Sequence, residues 1–252
     1  SAGPSASGKE FDYGWEQMRR LGVDLVDEHY YMSPEWSLKN AGRYDKYSRK
    51  GPKVFGGEYA SHVKGQGDKP TVAMNNFEAA LSEAAFMTGL ERNADVVHQA
   101  TYAPLFAHVE GWQWRPDLIW FDNLESVRSV NWYVQMLYGT NRGTNVLSLL
   151  ENGKPVEGAD GLYASAVYDK EAKNYIIKIA NTGDADKDIN ITVNGIKNLG
   201  SGKLITLHSN DPHATNTLSN KENVVPQTTN IEAKGNTLSV KIPAKTFAVY
   251  RF

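Results

Sequence analysis

The sequence KVFGGEYA, residues Lys53–Ala60, joins a short apolar segment to two glycines and then to a carboxylate. The apolar segment predicts a buried strand, and the glycines allow another backbone or a ligand to approach closely. Burying a carboxylate is costly unless the group is paired or used in chemistry. At the carboxyl end of a barrel strand such a residue is usually catalytic. Glu58 is therefore a candidate catalytic residue, and the alternative is a loop carboxylate bonded to a nearby arginine.

Helices and strands alternate on both sides of this segment. The periodicity predicts helices over 11–21, from Asn76 onward, over a second set of turns carrying Val97, Ala100 and Ala103, and over 126–138. It predicts strands over 23–31, from Pro52 to Glu58, and over 117–123. Such alternation is typical of a parallel sheet with crossover helices. Because a complete eight-stranded barrel needs about 250 residues, residues 1–143 are predicted to form an incomplete (β/α) barrel segment.

The pattern changes near Thr144, after which short strand-like runs are separated by turn signals. The predicted strands are Leu162–Tyr168, Tyr175–Ala180, Ile189–Val193, Lys203–Leu207, Thr237–Ile242 and Thr246–Phe252. Runs of this length and spacing are typical of an all-β sandwich. The fold class is therefore α/β plus all-β, in which a partial barrel over 1–143 precedes an antiparallel, jelly-roll-like β-sandwich over 144–252.

Composition excludes several classes of function. The chain of 252 residues carries a net charge of −2 and has no cysteine, so we expect no nucleic-acid partner, no disulfide and no thiolate metal site. The sequence has no run of 18 apolar residues, so no membrane span is predicted. We expect no cofactor and no metal, because Glu28, His29 and His62 have suitable ligand types but no recognised spacing.

Five ordered motifs resemble the C-terminal half of a glycoside hydrolase family 51 α-L-arabinofuranosidase. They are Asp27–Tyr31 (DEHYY), Val54–Ala60 (VFGGEYA), Asn75–Ala84 (NNFEAALSEA), Thr101–Phe106 (TYAPLF) and Trp114–Asn123 (WRPDLIWFDN). The resemblance covers nearly the whole chain. It implies a retaining glycosidase that removes terminal α-L-arabinofuranosyl residues from arabinose-containing polysaccharides or oligosaccharides.

The resemblance also implies roles for individual residues. The three predicted strands correspond to the sixth, seventh and eighth strands of the family's barrel, and Glu58 corresponds to its catalytic nucleophile. His29 and Tyr31 correspond to residues near the nucleophile and the bound sugar, and Trp114 to a residue bordering the sugar pocket. From its own sequence context, His29 has the alternative interpretation of a core histidine bonded to a backbone carbonyl.

The chain departs from the family pattern at the general acid/base, which is a Glu following an Asn on the fourth strand. No such pair lies on a suitable strand here. Glu28 precedes His29 directly, so strand alternation places its side chain on the opposite face. The acid/base is therefore expected upstream of Ser1, and the isolated chain is expected to be a truncated piece with little activity. Localisation stays undecided, and a secreted or periplasmic parent fits the resemblance.

Other hypotheses remain open at this point. A non-catalytic carbohydrate-binding or structural module would present an exposed row of aromatics, for which Tyr163, Tyr168 and Tyr175 are candidates, although strand alternation favours them as core. An unrelated β/α enzyme has only the fold pattern behind it. The unpaired edges of an incomplete parallel sheet predict homo-oligomerisation.

Overall fold

The computed structural model describes residues 1, 5–63, 74–111, 114 and 116–252. Its helices in these ranges are α1 (Lys9–Leu21), α2 (Pro34–Lys39), α3 (Phe77–Arg92) and α4 (Val130–Thr140), with 3₁₀ turns at Arg43–Lys46 and Ala159–Gly161. The strands are β1 (Leu25–Met32), β2 (Lys53–Ser61), β3 (Val97–Tyr102), β4 (Phe106–His108), β5 (Ile119–Phe121), β6 (Ser126–Arg128), β7 (Asn145–Leu147), β8 (Leu150–Glu151), β9 (Lys154–Pro155), β10 (Leu162–Asp169), β11 (Asn174–Asn181), β12 (Lys187–Thr192), β13 (Ser201–His208), β14 (Gln227–Glu232), β15 (Thr237–Ile242) and β16 (Thr246–Arg251). None of the described helices has the length and apolarity needed to span a membrane.

Strands β1, β2 and β3 form a parallel sheet with β2 in the middle. The predicted strands over 23–31 and from Pro52 are both found, but β2 runs three residues beyond Glu58. It does so because Tyr59, Ala60 and Ser61 are buried and the Ser61 N–H donates to a Glu83 carboxylate oxygen at 2.8 Å. Glu58 therefore lies inside a strand rather than at its end.

Around residues 97–123 one predicted element is wrong, and another is found in a different sheet. The segment carrying Val97, Ala100 and Ala103 was predicted to be helical, yet Val97–Tyr102 is a strand paired with β2. Three apolar residues at helical spacing cannot outweigh the hydrogen bonds offered by the open edge of β2. The predicted strand over 117–123 does contain β5, but β5 pairs with β4 and β6 in a separate small sheet. The third strand of the parallel sheet is thus β3.

Helix α3 is buried on nearly all sides. As predicted, Asn76 caps it, and the Asn76 side chain accepts a hydrogen bond from the Ala79 N–H at 3.0 Å. Almost every residue from Phe77 to Leu90 is buried, which is expected of a helix that is apolar around its whole circumference. The helix contacts β2 on one side and β10 and β11 on another. It therefore connects the parallel sheet to the strands that follow residue 144.

The replacement Gly89→Ala is expected to lower the free energy of unfolding by about 1–3 kcal/mol, because overpacking forces backbone shifts. A Cβ at Gly89 on α3 would lie 1.7 Å from the carbonyl oxygen of Ala41. Gly139→Ala on α4 is the matched control, since a Cβ there meets nothing within 4 Å. The control is expected to raise stability by up to about 1 kcal/mol. Urea unfolding measures both, and equal stability of the two variants would contradict the expected contact.

Apart from the short hairpin of β8 and β9, the strands after residue 144 form two sheets that share one apolar cluster. The larger sheet is antiparallel, in the order β14-β13-β16-β11-β10-β7, and the smaller one pairs β12 with β15. Ile189 and Leu238 of the smaller sheet belong to the same cluster as Ile177 and Ile179 of the larger one, which is the arrangement of a β-sandwich. The six predicted strands are found with ends shifted by at most two residues. Strand β14 was not predicted, because its largely exposed, polar sequence carries no apolar alternation.

A buried ion pair lies where α3 meets the larger sheet. Lys178 on β11 is fully buried, and its Nζ donates to Glu91 Oε1 at 2.5 Å and to the Asn141 carbonyl at 2.7 Å. The Ser165 hydroxyl donates to the other Glu91 oxygen at 2.6 Å. Burial lowers the pKa of Lys178, and the charge of Glu91 opposes that shift. The pair is thus well supplied with hydrogen-bond partners.

Candidate functional site

Glu58 lies beside Tyr31 and His29 on one face of the parallel sheet. The register aligns His29 of β1 with Glu58 of β2, and His29 and Tyr31 share a face because they are two residues apart on a strand. The Tyr31 hydroxyl donates to Glu58 Oε2 at 2.7 Å, and His29 Nδ1 lies 3.5 Å from the same oxygen. The side chain of Glu58 is 44% exposed, so its carboxylate is reachable from solvent.

The electrostatics around Tyr31 keep its hydroxyl neutral. Burial raises the pKa of Tyr31 well above its ordinary value, and the hydrogen bond to Glu58 and the charges of Glu58 and Asp117 raise it further. A neutral phenol is a hydrogen-bond donor, and a donor to an ionised carboxylate stabilises the charged form. Tyr31 is therefore suited to orient the Glu58 carboxylate.

Trp114 is 68% exposed, and among the described residues no contact joins it to Glu58. Its neighbours at 112, 113 and 115 lie outside the described residues. The role of Trp114 at the border of a sugar pocket therefore stays a prediction.

Asp117 is a buried acid near this site that sequence reasoning did not single out. Only 2% of the residue is exposed, and burial raises the pKa of its carboxyl to about 7. Its charge raises the pKa of both Tyr31 and Tyr102. Asp117 looked like the ordinary first residue of a predicted strand, and nothing in the sequence indicated that it would be buried against the site.

Glu28 lies on the opposite face of β1, as strand alternation predicts. It is fully buried and is surrounded by donors. These donors are Trp15 Nε1 at 2.7 Å, Tyr44 OH at 2.8 Å, Tyr47 OH at 3.0 Å and the Tyr30 hydroxyl, with Arg43 Nε 3.6 Å away. Glu28 therefore links β1 to α1 and to the 3₁₀ turn at Arg43–Lys46. Because it faces away from Glu58, it cannot act on a sugar beside Glu58. For the same reason Glu28 and His29 cannot share a zinc ion, and the described residues contain no group of three or more potential metal ligands of the His, Asp or Glu type.

Glu83 supports β2 from behind the site. This α3 residue is 1% exposed, and its Oε1 accepts the Ser61 N–H at the end of β2. Burial raises the pKa of Glu83 to about 8, while the nearby amides of Asn131 and Gln135 and the Ser61 N–H oppose the shift. The carboxyl is consequently protonated in the folded chain near neutral pH.

Stability is expected to fall as pH rises through the range that Glu83 controls. The pKa of Glu83 is about 8 in the folded chain against an ordinary 4.5, so its contribution is complete below pH 4.5 and is lost as pH rises toward 8. We expect a loss of about 2–4 kcal/mol over this range. In Glu83→Gln, which keeps the acceptor for Ser61, this part of the pH dependence should disappear. Urea unfolding at several pH values measures the difference, and parallel pH curves for the two proteins would contradict it.

Comparison with known proteins places this chain in a family. Residues 57–245 match the model of the α-L-arabinofuranosidase C-terminal domain. The chain is 50% identical over 167 residues to an extracellular exo-α-L-arabinofuranosidase of Streptomyces chartreusis, covering 64% of the chain and 19% of that protein. It is 32% identical over 228 residues to a probable α-L-arabinofuranosidase A of Aspergillus terreus, covering 89% of the chain and 33% of that protein.

A solved structure agrees with the sequence relatives. An arabinose-bound α-L-arabinofuranosidase of glycoside hydrolase family 51, named MgGH51, superimposes with a TM-score of 0.80 at 33% identity, covering 90% of the chain and 36% of that structure. The chain therefore spans between a fifth and a third of the length of these curated relatives. Because the family model matches most of the chain, the chain belongs to the α-L-arabinofuranosidase C-terminal domain family, in the C-terminal region of glycoside hydrolase family 51 arabinofuranosidases.

Proposed function

We propose that this chain is the C-terminal portion of a retaining α-L-arabinofuranosidase in which Glu58 is the nucleophile. The observation that carries the proposal is that Glu58, Tyr31 and His29 share one face of a parallel sheet. Glu58 Oε2 lies 2.7 Å from the Tyr31 hydroxyl and 3.5 Å from His29 Nδ1. Its support is the family to which the chain belongs. We propose terminal α-L-arabinofuranosyl groups of arabinose-containing glycans as the substrate.

The reaction assigns a role to each residue. Glu58 attacks the anomeric carbon, the bond to the leaving oxygen breaks, and a covalent glycosyl-enzyme forms, which water then hydrolyses. Tyr31 orients the attacking carboxylate through its hydrogen bond. His29 keeps the pocket polar beside the nucleophile, and Trp114 borders the sugar.

The second carboxylate of a retaining glycosidase stands about 5–5.5 Å from the nucleophile. Glu28 faces away, so we place the general acid/base in the part of the longer relatives that this chain does not cover. In this proposal residues 1–143 are the last three strands of a barrel and residues 144–252 a jelly-roll-like β-sandwich domain. Without the acid, hydrolysis of a poor leaving group is expected to be about 10²–10⁴-fold slower. For residues 1–252 alone, we propose homo-oligomerisation through the open edges of β1 and β3, which the missing barrel strands would otherwise cover.

The alternative, a carbohydrate-binding sandwich, receives less support. Of the three candidate aromatics, Tyr163 is buried and its hydroxyl donates to the Leu38 carbonyl at 3.2 Å, while Tyr168 and Tyr175 are half-buried against each other. The cavity of about 630 Å³ between the two sheets is lined mainly by aliphatic side chains such as Ile177 and Ile189. Such a lining suits core packing better than a flat aromatic platform for sugars.

Hydrolysis of 4-nitrophenyl α-L-arabinofuranoside tests the proposal. The natural protein containing this chain together with the part present in the longer relatives is expected to release 4-nitrophenol, and residues 1–252 alone to release little. Proton NMR during the reaction is expected to show first an arabinose with the anomeric configuration of the substrate. Inversion at the anomeric carbon would overturn the retaining mechanism, and inactivity of the longer protein on arabinofuranosides would overturn the function.

A further inference from the structure

Asp27 contacts His29 on the side of the ring away from Glu58. Asp27, like His29, points to the site face of β1, because the two residues are two apart on the strand. The Asp27 Oδ2 atom lies 2.9 Å from His29 Nε2, whereas Nδ1 of the same ring faces Glu58 at 3.5 Å. The imidazole is thus held between two carboxylates, one on its own strand and one on the neighbouring strand.

This contact determines where the imidazole carries a proton. An ionised carboxylate only accepts hydrogen bonds, so the short contact with Asp27 requires a proton on His29 Nε2. A hydrogen bond at one ring nitrogen fixes the orientation of the ring and the tautomer available at the other nitrogen. Asp27 therefore determines which atom His29 presents to Glu58.

Gly57 is linked to the same arrangement through the strand register. Glu28 is paired with Gly56, but the next residue, His29, is paired with Glu58, so Gly57 is an extra residue in β2. If Gly57 were instead paired regularly with His29, Glu58 would be paired with Tyr30, whose side chain is buried on the helix face, because a slip of one residue moves a side chain to the other face. The bulge at Gly57 therefore brings Glu58 to the face of His29 and Tyr31.

The same glycine makes room for Asp27. A Cβ on residue 57 would lie 2.1 Å from Asp27 Oδ1 and 3.1 Å from Asp27 Cγ. These atoms belong to a carboxylate fixed by its bond to His29, so any side chain at position 57 must displace it. The contact between Asp27 and His29 therefore depends on the absence of a side chain at Gly57.

From this geometry we infer that Asp27, seated against Gly57, is a positioning residue that acts through His29 on the nucleophile Glu58. This inference rests on the proposed function for its kinetic consequence. Its structural part, that Asp27 fixes the His29 ring, holds whatever reaction the site performs.

Kinetics of the longer natural protein test the kinetic consequence. We expect Asp27→Ala to lower kcat for 4-nitrophenyl α-L-arabinofuranoside by about 10²-fold, the size of effect that a misplacement of about 1 Å produces, with KM changed less than threefold. Asp27→Asn keeps an acceptor oxygen for His29 Nε2 and is expected to recover most of the rate. Asp24→Asn, an exposed change in front of the same strand, is the matched control. Each kcat is divided by the folded fraction of the sample, so a variant that only folds less well does not show a lower kcat.

Nitrogen-15 NMR of the histidine rings tests the structural part on residues 1–252. In the unaltered chain His29 is expected to show a protonated Nε2, with a shift that Asp27→Ala and Gly57→Ala both change and Asp24→Asn does not; a His29→Asn variant assigns the signals. An unchanged His29 signal in Asp27→Ala overturns the inference, as does an unchanged kcat in a longer protein that Glu58→Gln inactivates. If the longer protein has no activity at all, the proposed function fails, and the NMR result still decides the role of Asp27.

Discussion

Glu58→Gln is expected to lower the hydrolysis of 4-nitrophenyl α-L-arabinofuranoside by the longer natural protein about 10⁴-fold or more, because losing the proposed nucleophile removes the covalent route. The glutamine keeps the shape of the side chain and an oxygen that accepts the Tyr31 hydroxyl now bonded at 2.7 Å. Since the Glu58 side chain is 44% exposed, the fold should be unaffected. The measurement is kcat, together with urea unfolding of the same samples.

Two further variants make this test specific. Glu171→Gln alters an exposed carboxylate in the turn between β10 and β11 and is expected to retain the full rate. Glu58→Ala leaves space beside the anomeric carbon, so added azide should restore turnover and yield a glycosyl azide of inverted configuration. A Glu58→Gln protein with the unaltered rate would remove Glu58 from the mechanism. Rescue by azide that gives a product of retained configuration would place the nucleophile elsewhere.

Lys178→Met is expected to lower the free energy of unfolding by about 3–5 kcal/mol, which is typical when one partner of a buried ion pair is removed. Lys178 is fully buried, and Glu91, whose side chain is 14% exposed, would be left with the Ser165 hydroxyl as its remaining donor among the contacts described above. Methionine fills a similar volume, so the loss reports the unpaired carboxylate rather than a cavity. Urea unfolding at constant pH measures the change.

The double variant Lys178→Met with Glu91→Met is the control for this interpretation. Replacing both members of a buried pair by apolar residues is often neutral or stabilising, so most of the lost stability should return. If the double variant is less stable than Lys178→Met, the ion pair makes a net contribution to stability. Such a result would contradict the view that the two charges only compensate each other. A Lys178→Met protein as stable as the unaltered chain would show that the carboxylate finds water or another donor.

Much of the fold could be predicted from local patterns. The spacing of apolar residues located β1, β2 and α3, and turn residues located the strands of the sandwich, because these elements bury one face or are capped by a recognisable residue such as Asn76. The sequence pattern failed for segments whose structure is decided by pairing with a neighbouring strand rather than by their own residues. Val97–Tyr102 becomes a strand because the edge of β2 is available, and β14 pairs with β13 without an apolar face.

The candidate site was predictable only in part. Glu58 attracted attention through its two glycines, whereas the pairing of His29 and Tyr31 with it was implied by resemblance and is now seen as contacts in the structure. The bulge at Gly57 depends on the register between two strands whose paired residues are 28 or 29 positions apart in sequence, which no local pattern specifies. The burial of Asp117 likewise depends on segments distant in the chain.

Helix α3 limits how this protein can be recombined with its relatives. Its buried circumference carries one set of side chains matched to β2 and another matched to β10 and β11, and Glu91 at its end is matched to Lys178. A chimera that takes its sandwich from another member of the family must therefore take the sandwich-facing side chains of α3 as well. Crossing over at residue 144 alone would join two surfaces whose side chains come from different proteins and are not matched to each other. Residue 144 is nevertheless the point where the sequence pattern changes from alternating helices and strands to short strands.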